Sequence, residues 1–385
     1  MKSARRRICI QCTLVFVHAA LAAQTNVAPL TTQEWPKLLQ QAQHGNHKAQ
    51  IRVASAFQKG EVVKQDSFEA RRWFLKAAEM GDPVAENNLG VMSYVGMGTE
   101  RSTTEALKWF EKAATAGLAQ AQVAAAIMYE TGEGAPQNLG RALELYRRAA
   151  EKGFAPAQNN LGIMYELGRG VTRDPEAAMR WYMKSAEQGS AKGEFDLGSM
   201  YWHGVGVAQD YAKAAKWFAL AAEQGHAKAQ FALSELYRLG WGVPKDEQVA
   251  AEWLQKAADQ GDAAAESSLG ILYLTGQGVA HDNSLAAAWI SKAAEQGDRN
   301  AQANLAYLFE TGRGVPLDLH NAYLWRLLSL DTLDTTTPQN DEKLRKLASQ
   351  LSKADIAEAE HRASEWRVAH VRHQAEEDLS PDLMQ

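Results

Sequence analysis

Cysteine is almost missing from this chain. Cys9 and Cys12 are the two cysteines among 385 residues, and both lie near the N-terminus. If that segment is removed, what remains has no disulfide, no thiol nucleophile and no cysteine metal site. Serine hydrolase signatures are missing as well: the sequence has no Ser-x-x-Lys and no Gly-x-Ser-x-Gly. No Gly-Lys dipeptide occurs, which excludes a P-loop. There is no Asn-x-Ser/Thr sequon. Positive charge is also short. The formal net charge is −5, which gives no electrostatic footing for nucleic acid or for an anionic membrane surface.

The first residues do carry positive charge. Lys2, Arg5, Arg6 and Arg7 make a basic stretch, and Ile8 to Leu21 follow as a short apolar run. Small residues around Ala20-Leu21-Ala22-Ala23 then offer a cleavage site. This order predicts a signal peptide over 1–23. The apolar run is too short for a comfortable membrane span, and Gln11, Thr13 and His18 interrupt it. Losing four positives takes the net charge from −5 to −9. The expected location is the bacterial periplasm or outside the cell, with Sec and twin-arginine export both open.

The rest of the chain repeats itself every 36 residues. Gly45, Gly81, Gly117, Gly153, Gly189, Gly225, Gly261 and Gly297 form one register. Ala70, Ala106, Ala142 and their equivalents to Ala322 form a second. Trp73, Trp109, Trp181, Trp217, Trp253, Trp289 and Trp325 form a third, with Leu145 as the substitute. Phe57, Tyr129, Tyr165, Tyr201, Tyr237, Tyr273 and Phe309 form a fourth, broken by Ser93. Four registers held over eight units are the mark of a repeat array.

Each unit reads as two helices. In the fourth, Ala157, Leu161, Met164 and Tyr165 give the apolar stripe of a helix A. Ala178, Trp181, Tyr182, Ser185 and Ala186 give that of a helix B, which places the tryptophan register in the core. Helix A runs into a loop such as Gly168-Arg169-Gly170, whose first glycine can end a helix in the left-handed conformation. Helix B opens after Asp66, Ser102, Asn138, Asp174, Asp210, Asp246, Asp282 or Asp318, all good N-caps. Helices of about a dozen residues are unstable alone in water, so their faces must be buried on neighbouring units.

These residues, Ala157 to Gly189 above all, resemble the Sel-1-like repeat family, a relative of the tetratricopeptide repeat. The resemblance covers residue 46 to about 332. It implies an all-α fold, a right-handed superhelical α/α solenoid, and a binding scaffold rather than an enzyme. It also implies roles such as envelope adaptor, assembly factor or host-protein binder. Departures are local: Ser185 replaces an alanine, Ala125-Ala126 replaces Leu-Gly, and Val62 replaces a loop glycine. The expected division is 1–23 signal peptide, 24–45 N-terminal capping helix and 46–332 eight repeats. C-terminal capping helices follow over 333–373, the last spanning Leu351 to Ala369, and then an acidic mobile tail over 374–385.

Chemistry finds little support. His44 with His47, and His370 with His373, are pairs too sparse for a metal site. No metal, no cofactor and no nucleic acid are expected. The residues that break the repeat are aromatic. Trp202 stands where Glu130, Glu166, Arg238 and Glu310 stand elsewhere, and Trp241 where Glu133, Arg169, Gln277 and Arg313 stand. Exposed aromatics in a cluster favour a protein or peptide partner. The candidate surface is Trp202 and Trp241, with Arg238, Glu166, His203 and Arg169 nearby. The competing reading packs Phe195 and Phe231 inside a widened core under Trp202. Two further alternatives are a hydrolase of cell-wall or β-lactam compounds and a spacer with no specific ligand.

Overall fold

The computed structural model describes residues 29–330 and 341–377. The expected signal peptide and the end of the acidic tail lie outside the described residues. Those residues hold helices and no strand, so the fold is all-α. They form two compact units divided between Gly193 and Glu194.

The first unit opens with α1 (Trp35–Gln43), a lone helix shorter than a repeat helix. Four helix pairs follow: α2 (His47–Lys59) with α3 (Ser67–Glu79), and α4 (Pro83–Val95) with α5 (Thr103–Thr115). Then come α6 (Ala119–Thr131) with α7 (Leu139–Glu151), and α8 (Ala155–Leu167) with α9 (Pro175–Ala186). The division falls inside α10 (Ala191–His203). The second unit holds α11 (Tyr211–Glu223), α12 (Ala227–Leu239), α13 (Glu247–Ala258), α14 (Ala263–Thr275), α15 (Asn283–Glu295), α16 (Arg299–Thr311) and α17 (Leu319–Ser329). It ends with α18 (Glu342–Ala348) and α19 (Lys353–Glu377), both packed on α17.

The eight capping residues do two jobs. Each side chain accepts from a backbone N–H in the first turn of its helix B, as Asp66 does from Phe68 and Glu69. Each backbone N–H also donates to the carbonyl of the fourth register, from Asp66 to Phe57 at 2.9 Å through Asp318 to Phe309 at 2.9 Å. One residue thereby starts helix B and ties it to the end of helix A. The second loop glycine touches the preceding repeat. A Cβ on Gly134 would meet the carbonyl oxygen of Thr103 at 2.4 Å. The first repeat has no earlier helix B to meet, and there Val62 stands at φ 52.

The deepest packing lies one residue beyond the tryptophans. Phe74, Phe110, Tyr146, Tyr182, Phe218, Leu254 and Ile290 are buried. Four of them lie on a helix A glycine: a Cβ on Gly90 would meet Phe110 at 2.6 Å, on Gly162 Tyr182 at 2.5 Å, on Gly198 Phe218 at 2.7 Å, and on Gly270 Ile290 at 2.5 Å. The tryptophan register, expected in the core, is buried at Trp73 and half-buried from Trp109 onward. A lysine one turn later covers its open face. Lys76 lies 4.2 Å from the Trp73 ring centre, Lys184 4.2 Å from Trp181 and Lys256 3.8 Å from Trp253. Such cation–π contacts hold a ring at a wet boundary. In the last repeat Leu328 replaces the lysine, and Trp366 of α19 covers Trp325 edge-on at 6.3 Å. Ser185 also has a matched partner. It takes the place of an alanine, and Gly193 opposite it lacks a Cβ that would sit 2.6 Å from its hydroxyl.

A buried polar register runs through helix A. Gln50, Gln122, Gln158, Gln230 and Gln302 donate to the carbonyls of Ala42, Ala114, Ala150, Ala222 and Ala294, near the C-terminus of the preceding helix. Each of these carbonyls also accepts from the backbone N–H of the glycine that follows, at 3.0–3.1 Å, so the glutamine adds a second bond that ties helix A to the end of the preceding helix. Glu86, Glu194 and Glu266 occupy the same register. Burial pushes all three carboxyls above the usual range. Gln224 and Gln296 donate to Glu194 and Glu266 at 2.7 Å and partly offset this. A raised carboxyl binds its proton more tightly in the folded chain than in the unfolded one. Each glutamate therefore lowers stability as pH rises past the ordinary carboxylate range. Glu266→Gln should accept from Gln296 as Gln230 does from Gln260 at 2.7 Å, and should regain the carbonyl bond. The variant is expected to gain about 1 kcal/mol at pH 7, with a smaller gain at pH 4. Urea melts at both pH values check this, and a loss of stability at pH 7 would reject it.

Candidate binding surface

Aromatic side chains gather in the second unit. Trp202, near the end of α10, is half-buried. Its ring lies 5.8 Å from Phe218, 6.1 Å from Trp241 and 5.9 Å, edge-on, from Tyr211. Trp241 sits in the loop between Gly240 and Gly242. It is 40% exposed and lies 4.8 Å from Tyr211 with the rings 31° apart. The loop geometry explains this placement. A Cβ on Gly242 would meet the Tyr211 backbone at 2.3 Å, so the loop rests on the first residues of α11. Tyr211 is the first residue of α11, just after the cap Asp210. The cluster runs inward through Phe218 to Phe195, 5.6 Å away, and on to His226, stacked on Phe195 at 4.7 Å. Phe231 packs instead against the apolar cluster built around Leu254 and Leu269.

The remaining candidates have separate surroundings. His203 is exposed, its ring 6.4 Å from Trp202. Arg238 is held by Glu235 through two hydrogen bonds of 2.9 and 2.6 Å, which raise its pKa. Glu166 and Arg169 belong to the first unit, where Glu166 joins the two helices of its own repeat and Arg169 joins its repeat to the one before. Glu166 accepts from the Tyr182 hydroxyl at 2.7 Å, and Arg169 donates to Glu130 at 2.8 Å. The structure therefore brings Trp202, Trp241 and His203 together and binds the three charged residues into local pairs. Tyr211 is the member that sequence reading missed. Its register holds Ser67, Thr103, Leu139, Pro175, Glu247, Asn283 and Leu319 in the other repeats, so Tyr211 is its one aromatic.

Nearby charges serve the fold. Lys213 pairs with Asp210 at 3.3 Å and lies 5.2 Å from the Tyr201 ring centre. The backbone bond from Lys213 holds the Asp210 carboxyl below its usual range. Among the described residues no group of three His, Cys, Asp or Glu side chains could hold a metal. His47 is bound to Asp82 at 2.6 Å and His44 to the Gln40 carbonyl at 2.7 Å. His370 stacks on Trp366 at 4.4 Å. No described helix is long and apolar enough to cross a membrane. What the patch offers is an apolar, ring-faced surface.

Known proteins resemble this chain along most of its length. The Sel1 repeat model matches residues 47–82, 83–118, 117–154, 155–190, 191–226, 227–262, 263–298 and 299–325. A Sel1 repeat protein from Oxalobacter formigenes is 30% identical, with 89% of this chain and 94% of that one aligned at a TM-score of 0.64. The protective antigen c5321 of uropathogenic Escherichia coli, which displays an SLR fold, is 28% identical over 95% of this chain and 93% of its own, at a TM-score of 0.47. The immunity protein Pa5087 of Pseudomonas aeruginosa is 27% identical over 63% of this chain and 83% of its own, at a TM-score of 0.37. No curated protein matches. Eight consecutive matches, spanning well over half of the chain, settle the family: this chain belongs to the Sel1 repeat family.

Proposed function

We propose that this chain is an exported, non-catalytic scaffold that binds a partner protein or peptide through the aromatic patch of its second unit. One observation carries the reading: Trp241, 40% exposed on a loop, lies on Tyr211 beside Trp202, in registers that hold polar residues in most, though not all, other repeats. A large ring kept at the surface costs solvation that a partner recovers, and Trp and Tyr dominate binding hot spots. Export rests on the basic and apolar N-terminal segment followed by small residues. N-terminal sequencing of the chain recovered from the envelope should begin near residue 24. A chain still starting at Met1 would contradict export.

The same rings divide by duty. Trp202 packs on the buried Phe218, so its removal should disturb folding as well as contact. Trp241 touches rings only at the rim. Trp241→Ala should therefore leave helix content and melting almost unchanged. It should weaken the partner by at least about 2 kcal/mol, the hot-spot scale. Circular dichroism and a binding isotherm with the partner captured from native envelope, run on the same variant, test this. A large fall in melting temperature with no selective loss of binding would return Trp241 to a purely structural role.

A further inference from the structure

The first unit carries a surface of a different kind. An open groove of about 780 Å³ lies along α1 and α2, within the roughly 300–1,000 Å³ that ligand pockets span. Leu38 and Ile51, both half-buried, give it an apolar floor. Lys37 lines it from α1, and Lys48, Arg52 and Lys59 line it from α2. On α2 the spacing of four and seven residues keeps these cations on one helix face.

The charge balance in this groove runs against the rest of the chain. Glu34 is the carboxylate on its wall, and the Thr31 hydroxyl and backbone N–H already engage it at 2.7 and 3.0 Å. Arg52 and Lys59 lean on Glu61 at 3.2 and 3.7 Å. Lys37 and Lys48 are exposed and form no ion pair among the described residues. A net-negative protein thus places surplus positive charge in a concave site with an apolar floor. Isolated surface lysines would be ordinary solvated groups. A cleft with low-dielectric walls focuses their field toward an anionic occupant.

We propose that this groove binds an acidic peptide segment of a partner protein. Aliphatic side chains of the segment would sit over Leu38 and Ile51, and its carboxylates would face Lys37 and Lys48. The proposal is independent of the aromatic patch, which belongs to the other unit. The probe is an acetylated Asp-Leu-Glu-Asp-Leu-Glu-Asp-Leu amide titrated into the full chain by calorimetry, beside its Asn/Gln counterpart. The acidic peptide should bind at least about tenfold more tightly than the neutral one, and less tightly as salt screens the charges. Lys37→Glu with Lys48→Glu should weaken it by at least about tenfold, and Lys37→Arg with Lys48→Arg should retain it. Lys216→Glu with Lys228→Glu makes the same change in net charge in the second unit and should leave binding within about twofold. Melting curves establish that each variant is folded. Equal binding of the neutral peptide, equal weakening by the Lys216 and Lys228 changes, or no binding of the acidic peptide would overturn the proposal.

Discussion

A side chain of helix B lies where a Cβ of helix A would otherwise stand, and much of this structure depends on that contact. Gly90, Gly162, Gly198 and Gly270 leave the space that Phe110, Tyr182, Phe218 and Ile290 fill. The two helices of a repeat can then approach until backbone meets side chain, which is how small residues allow close packing without voids. The capping residue sets the pair at the other end, because its backbone N–H is bonded to helix A and its side chain to helix B. All eight repeats share the double hydrogen bond; four add the glycine fit, and the others hold Ala54, Ala126, Ser234 or Ala306 in the glycine register. Buried Gln and Glu side chains then join consecutive helices.

This division of labour leaves the loops and the outer face of helix B free to vary. Because Phe110 and its equivalents carry the burial, the neighbouring tryptophans need only cover a boundary, and a lysine completes the cover. Substitution at such positions changes the surface more than the core. The fifth and sixth repeats use that freedom. Leu220 replaces the covering lysine and is 44% exposed, and Trp202, Tyr211 and Trp241 stand in registers that are polar in most other repeats. In the first unit the basic groove lies along α1 and α2.

Much of this was legible in the sequence. The period, the eight N-caps, the left-handed glycines and both helices of each repeat followed from residue type and spacing alone. The depth of each residue did not. Trp109 and Phe110 are neighbours on an apolar stripe, and periodicity places both near the core without saying which faces it. The glycine at position 90 held the answer, since only a closely seated side chain needs it. The Gln50 register carries no apolar signal, and a column of mixed Gln and Glu gives no sign that it is buried. Tyr211 follows an N-cap in a column of Ser, Thr, Leu, Pro, Glu and Asn, so no periodic pattern marks it, and only the fold of the Gly240–Gly242 loop brings it to Trp241. Glu166 and Arg169 read as free surface charges because their partners, Tyr182 and Glu130, lie 16 and 39 residues away. The groove lies beside a helix outside the repeat register, where no comparison between repeats could reveal it.

The most direct test compares two adjacent side chains. Phe110→Ala removes the buried ring that lies on Gly90, and Trp109→Ala removes the half-buried ring under Lys112. Denaturant melts of both variants, read as unfolding free energies, should place the Phe110 loss at about 3–5 kcal/mol. The Trp109 loss should be clearly smaller, because part of that ring is already in water. A larger loss at Trp109 than at Phe110 would contradict the assignment of Phe110 to the core and Trp109 to its cover.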